Sequence, residues 1–168
     1  MAVINIYCLS GIKTVRKSKG YCIYLLETQY KGENYTRHWI DEIVETQNSA
    51  GLETARRALE KINTEDELMI YTDSNFFEAN ASRNIITQSR VTDEAGSVIR
   101  EETLTSRMEQ WREAGWINPR TGEKRTNWEK WEEVAKILET HPYRISKGVH
   151  SYTHWMQSEL KRKVLQTA

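Results

Sequence analysis

No apolar run in this 168-residue sequence approaches the roughly 20 residues needed to cross a bilayer, so no membrane-spanning helix is expected. The opening MAVINIYCLSGIK lacks a basic segment followed by an apolar core and a cleavage site, and does not read as a signal peptide. Net charge is missing as well: 24 Lys+Arg balance 24 Asp+Glu, for a pI near 6.9. That balance argues against a purely electrostatic nucleic-acid binder, while leaving room for a local basic face. Cysteine is scarce, and two residues do not make a disulfide framework. Cys8 and Cys22 lie in successive apolar stretches and read as buried thiols in a reducing compartment, so a cytoplasmic protein is expected. There is no internal repeat and no low-complexity linker. The length suits one domain over 1–168.

What is present is a regular succession of strand and helix patterns. VINIYCL and YCIYLLE are β-branched and aromatic runs joined by a short link, as in paired strands, and YTRHWIDEIVE continues as a more exposed third strand. Ala55, Ala58, Leu59 and Ile62 then recur at helical spacing and give one apolar stripe. LMIY is short and wholly apolar, as a strand buried on both faces would be. A short helix is expected from Asn75, and a hairpin between Ile85 and Glu102 around DEAG. RMEQWREAGW reads as a helix stopped at Ala114-Gly115. NWEKWEEVAKILET reads as an amphipathic helix capped by Asn127, YRISKG as a last strand, and THWMQSELKRKVLQ as a last helix.

Several segments in this order resemble the type 1 ribonuclease H family over nearly the whole chain. IYTDS (Ile70 to Ser74) is similar to its central-strand motif. WREAGW, a basic loop and NWEKW resemble its substrate-handling helix, loop and following helix. SKG and SELKR resemble its last strand and last helix. The resemblance implies an α/β fold, a mixed five-stranded sheet flanked by helices, here with an inserted β-hairpin around 85–102. It also implies cleavage of the RNA strand of RNA–DNA hybrids by two divalent ions. Such ions, roughly 4 Å apart, repel one another unless several anionic oxygens surround them.

The carboxylates that the resemblance calls for are largely replaced. Leu9 stands at the position expected at the end of strand one. On the first helix, small residues follow the family's glutamate at four, seven and eight positions. Counting from Gly51 gives Ala55, Ala58 and Leu59, whereas Glu53 falls some 200° from that face, so Gly51 takes the catalytic place. Asp73 is present in its motif, and Ser158 replaces the aspartate of the last helix. Asp73 is expected to survive as a remnant, held in place at least partly as the cap of the helix that follows. The expected function is a ribonuclease H-like pseudoenzyme without a cofactor, acting by binding nucleic acid or a protein. The alternative is a divergent nuclease using Asp73 with Glu53, Glu159 as an optional further carboxylate, and Mg²⁺ or Mn²⁺.

Candidate contacts to nucleic acid follow from the resemblance: Asn48 beside Gln47, Trp111, Arg112, Trp116, Arg120, Lys124 and Arg125. The bland readings are packing for the tryptophans and a helix-start loop for Gln47 and Asn48. His150 and His154 have the spacing of a metal pair but no evident third ligand, and read as surface or partly buried histidines. The hairpin arms are apolar enough to pair with another chain, so self-association or a protein partner is a second expectation.

Overall fold

Alternation along the first strand sorts its side chains between two cores. In β1 (Val3–Ser10), Ile4, Ile6 and Cys8 join a large cluster on one face of the sheet, while Tyr7 and Leu9 join a smaller one on the other. This computed structural model describes residues 2–167. β1 pairs antiparallel with β2 (Ser18–Tyr30), which pairs antiparallel with β3 (Glu33–Glu45). On its other side β1 runs parallel to β4 (Glu67–Thr72), and β4 parallel to β7 (Tyr143–Lys147). The resulting sheet is mixed and five-stranded, in the order β3-β2-β1-β4-β7.

The larger cluster is covered by α1 (Gln47–Glu60), α2 (Asn75–Ala81), α3 (Arg107–Glu113) and α4 (Trp128–Leu138). Ala50, Leu52, Ala55, Ala58 and Leu59 of α1 are buried there, beside Trp131, the largest fully buried side chain. The smaller cluster packs under α5 (Thr153–Gln166) through Met156 and Leu160. No described helix is long and apolar enough to cross a membrane.

Helix starts follow local chemistry. Thr46 caps α1 in a reciprocal box with Ser49, and Ser106 does the same for α3 with Glu109. The expected helix over RMEQWREAGW stops as anticipated, with Gly115 at φ 67°. Asn127 sits at the start of α4, but in the left-handed region and without a side-chain cap bond, so the capping expected of it is not made.

The hairpin is formed by β5 (Ile85–Thr92) and β6 (Val98–Thr105), a separate two-stranded sheet slightly longer than expected. Its cross-strand pairs place Ile86 opposite Leu104, and both remain exposed.

Candidate functional site

The parallel register of β1 and β4 sets Cys8 beside Thr72, so Asp73, just past the end of β4, comes next to Leu9, which stays in the sheet through its pairing with β2. Around Asp73 open two adjoining clefts. One, of about 440 Å³, lies between the strand ends, the β7–α5 loop and the first turns of α5. Asp73, Leu9, Lys13, Lys147, His150 and Thr153 are among the residues around it. The other, of about 210 Å³, reaches to α1 and is bordered by Ser10, Lys13, Gln47, Asn48, Gly51 and Asp73.

Asp73 does not cap α2. Ser74 does, accepting from the Phe77 N–H at 3.1 Å. The Asp73 carboxylate instead accepts from the Lys13 ammonium, Nζ to Oδ2 at 2.8 Å. A lysine from the loop after β1 thus lies where a metal would meet this carboxylate. Leu9 points into the apolar cluster of Tyr7, Ile23, Leu25, Met156 and Leu160 and offers no donor.

Gly51 is where the helix phase places it, on the face of α1 toward Asp73. A Cβ on Gly51 would lie 2.3 Å from Ser74 Oγ and 2.4 Å from its Cβ. No side chain can be added there without displacing the cap of α2, so the second carboxylate is missing together with the space it needs.

Two sequence-based placements are corrected. Ser158 is exposed on the outer side of α5, and the residues of that helix bordering the cleft are Thr153, Met156 and Gln157. The motif match slid along the helix, because one residue on an α-helix turns the side chain by about 100°. Glu53, expected away from the buried face, is only 3% exposed. It accepts from Arg56 and Arg57, with two bonds at 2.7 Å, and from Lys130 at 2.9 Å. The cause is α4, which packs on a second side of α1 and brings Lys130 to Glu53. Burial resists the Glu53 charge, but the three cationic donors outweigh it and bring its pKa down to about 2. Glu53 is therefore turned away from the Asp73 clefts into a network of its own. Glu159, the other candidate partner, pairs with Arg162 on its own helix.

The chemistry of this donor set does not fit a pair of divalent ions. Among the described residues only Asp73 supplies an anionic oxygen to the clefts, and an ammonium already holds it. Among the described residues, no three His, Cys, Asp or Glu side chains gather as a metal site. His154 is exposed and does not border the cleft that His150 borders.

The expected nucleic-acid contacts are divided. Asn48 does border the smaller cleft, next to Gln47. Arg112 is tied to Glu132 at 3.1 Å and to Glu139 at 2.5 Å. Trp116 is 3% exposed and donates its indole N–H to Glu132 at 2.8 Å, which makes it part of the fold. Trp111 packs edge-on against Trp131, with the Arg125 guanidinium 4.6 Å from its ring centre. Lys124 lies 4.3 Å from the Trp128 ring centre and donates to the Gly115 carbonyl. Arg120 is exposed in the loop. The exposed cations on this side are thus Arg120 and Lys124, a smaller set than the sequence offered.

Reasoning from sequence missed Lys13 and Lys147. Lys13 falls in no motif, Lys147 sits inside SKG without a role assigned to it, and only the register of the strands shows that the two converge. Lys147 donates to Asn75 Oδ1, and among the described residues it has no carboxylate partner.

No family model and no curated protein matches this sequence. Solved structures do match in three dimensions. A type 1 ribonuclease H, LC9-RNase H1, described as carrying the type 2 active-site motif, aligns with a TM-score of 0.64 at 15% identity, over 96% of this chain and 72% of that one. A foamy viral protease–reverse transcriptase in complex with double-stranded DNA gives 0.57 at 15% identity, over 95% and 89%. The N-terminal ribonuclease H domain of a Mycobacterium tuberculosis protein, studied as a fusion with maltose-binding protein, gives 0.53 at 9% identity, over the full length of both. The chain has the ribonuclease H-like fold, and at these identities the likeness defines the fold alone.

Proposed function

We propose that this chain is a ribonuclease H-like domain that has lost two-metal cleavage of RNA–DNA hybrids and acts by binding nucleic acid. The observation that carries the proposal is the Lys13 ammonium seated on Asp73, in a cleft where Gly51 leaves no volume for a second carboxylate. Binding is then independent of Mg²⁺ or Mn²⁺, because the cleft's cations are side chains. One solved protein of similar fold was captured on double-stranded DNA, which supports nucleic acid as the partner class. The two free thiols support a cytoplasmic setting, and the single sheet shared by both cores supports one domain.

The metal-dependent alternative requires Glu53 and Asp73 to meet on one ion. The three cationic partners of Glu53 speak against it. The test is an RNA–DNA hybrid assayed for cleavage with Mg²⁺ and Mn²⁺ and for binding by anisotropy in EDTA. Salt-sensitive binding without turnover is expected. Robust turnover that vanishes in Asp73→Asn sinks the proposal.

A second reading, a protein partner or self-association through the hairpin, is favoured by its exposed apolar side chains. Ile86 is 63% exposed, Leu104 59% and Val98 67%. Solution mass measured against concentration tests self-association. A mass that rises in the parent and stays monomeric in Ile86→Lys, Leu104→Lys supports this reading.

A further inference from the structure

The larger cleft beside Asp73 is lined by more cationic than anionic side chains. Its ionisable groups are Asp73, Lys13, Lys147, His150 and the buried thiol of Cys8. At neutral pH the thiol is uncharged, since burial pushes its pKa far up. Two ammonium groups against one carboxylate leave the cleft with a net positive charge.

His150 adds a neutral donor of fixed orientation. Its Nδ1 accepts the Tyr152 backbone N–H at 3.1 Å, so the neutral ring carries its proton on Nε2. Burial lowers the His150 pKa, with Asp73 pulling the other way, which favours that neutral form. The ring is held in place by Tyr7 and Tyr71, at centroid distances of 4.6 and 5.6 Å. The loop carrying it is pinned in turn, because Tyr152 and Tyr7 both donate to Glu27. Among the described residues, no acceptor meets Nε2.

We propose that this cleft is a metal-free seat for a phosphate group, held by the Lys13 and Lys147 ammonium groups and the His150 Nε2–H. The proposal rests on the nucleic-acid reading above and deepens it by naming the atoms that meet the backbone. Lys147 is already offered, since its partner Asn75 is uncharged. Lys13 is held back by Asp73, which competes with the incoming anion for it. Asp73 therefore acts against the ligand, the reverse of a carboxylate that binds a phosphate through a metal.

The test uses the full chain in EDTA with two probes, inorganic phosphate and a short RNA–DNA hybrid. Phosphate is followed through the ring and amide NMR signals of His150 and the amides of Lys147 and Gly148. The hybrid is followed by anisotropy over a salt series. Lys147→Gln is expected to weaken hybrid binding roughly tenfold and to lower the salt slope by about 1. Asp73→Asn is expected to tighten it several-fold by releasing Lys13. If the parent binds hybrid but neither substitution changes affinity or slope, the phosphate seat is wrong and the nucleic-acid reading stands. Phosphate that shifts His150 and Lys147 while no hybrid binds supports the seat, identifies a free phosphate as its ligand and overturns the nucleic-acid reading. Neither probe binding overturns both.

Discussion

Replacing Glu53 by glutamine removes one negative charge from a site that is only 3% exposed and leaves its shape nearly intact. In the folded chain that carboxylate has a pKa of about 2 against an ordinary 4.5, because Arg56, Arg57 and Lys130 prefer it ionised. The folded protein therefore takes up this proton less readily than the unfolded chain. The stabilisation is complete above about pH 5 and is lost as pH falls from the unfolded value toward 2. The span from 4.5 to about 2 corresponds to on the order of 3 kcal/mol. Glu53→Gln should lose a similar amount at pH 7, a fall in melting temperature of roughly 6–12 °C for a domain this size. The loss should not be larger, because each cation keeps a second partner: Arg57 has Asp41, Arg56 has Glu60 and Glu133, and Lys130 has Glu45. Urea unfolding of both proteins from pH 7 to pH 2.5 isolates the effect, since all other carboxylates cancel in the difference. The two stability curves should converge toward the acid end. Curves that stay parallel would refute the assignment of this stabilisation to the Glu53 charge.

Gly51→Ala forces a methyl group onto Ser74, so despite alanine's better helix propensity the variant should lose about 1–3 kcal/mol. Ser74→Gly in the same chain should recover part of it, and additive losses in a double-mutant cycle would show that the two do not touch. Leu9→Asp puts a carboxylate into an apolar cluster and beside Asp73, so it should cost at least about 2 kcal/mol by thermal unfolding and gain no Mg²⁺-induced stabilisation. A melting temperature that climbs with Mg²⁺ in that variant would contradict the donor-set argument. Arg112→Gln should lower stability by about 1 kcal/mol while leaving hybrid affinity unchanged, because Glu132 and Glu139 already engage the guanidinium. A weaker complex with an altered salt slope would return Arg112 to the nucleic-acid surface.

The order of elements could be read from the chain because each one carries its own period and punctuation. LMIY, the stripe at Ala55, Ala58 and Leu59, and the stop at Gly115 are local signals, and the sheet follows from their succession. The phase of α1 also put Gly51 on the side of the helix that borders the smaller cleft with Asp73. Glu53 failed for a related reason: α1 is covered on two sides, and its burial depends on a helix nearly 80 residues later. Asp73 was assigned the cap that its neighbour Ser74 makes, a distinction of one residue that only backbone angles resolve. Ser158 was drawn from a motif match without a fixed register. Lys13 left no signal, because its meeting with Asp73 spans 60 residues and two loops.

The contact between Gly51 and Ser74 couples two positions that belong to different helices, one within α1 and one at the cap of α2. With glycine at 51, α1 lies against the start of α2, and the volume that a longer side chain requires is filled by the hydroxyl that starts that helix. A carboxylate side chain at 51 therefore needs concerted changes at 51 and 74, since a change at 51 alone unsettles its neighbour. Positions 51 and 74 thus act as one packing unit, and neither can change size without the other.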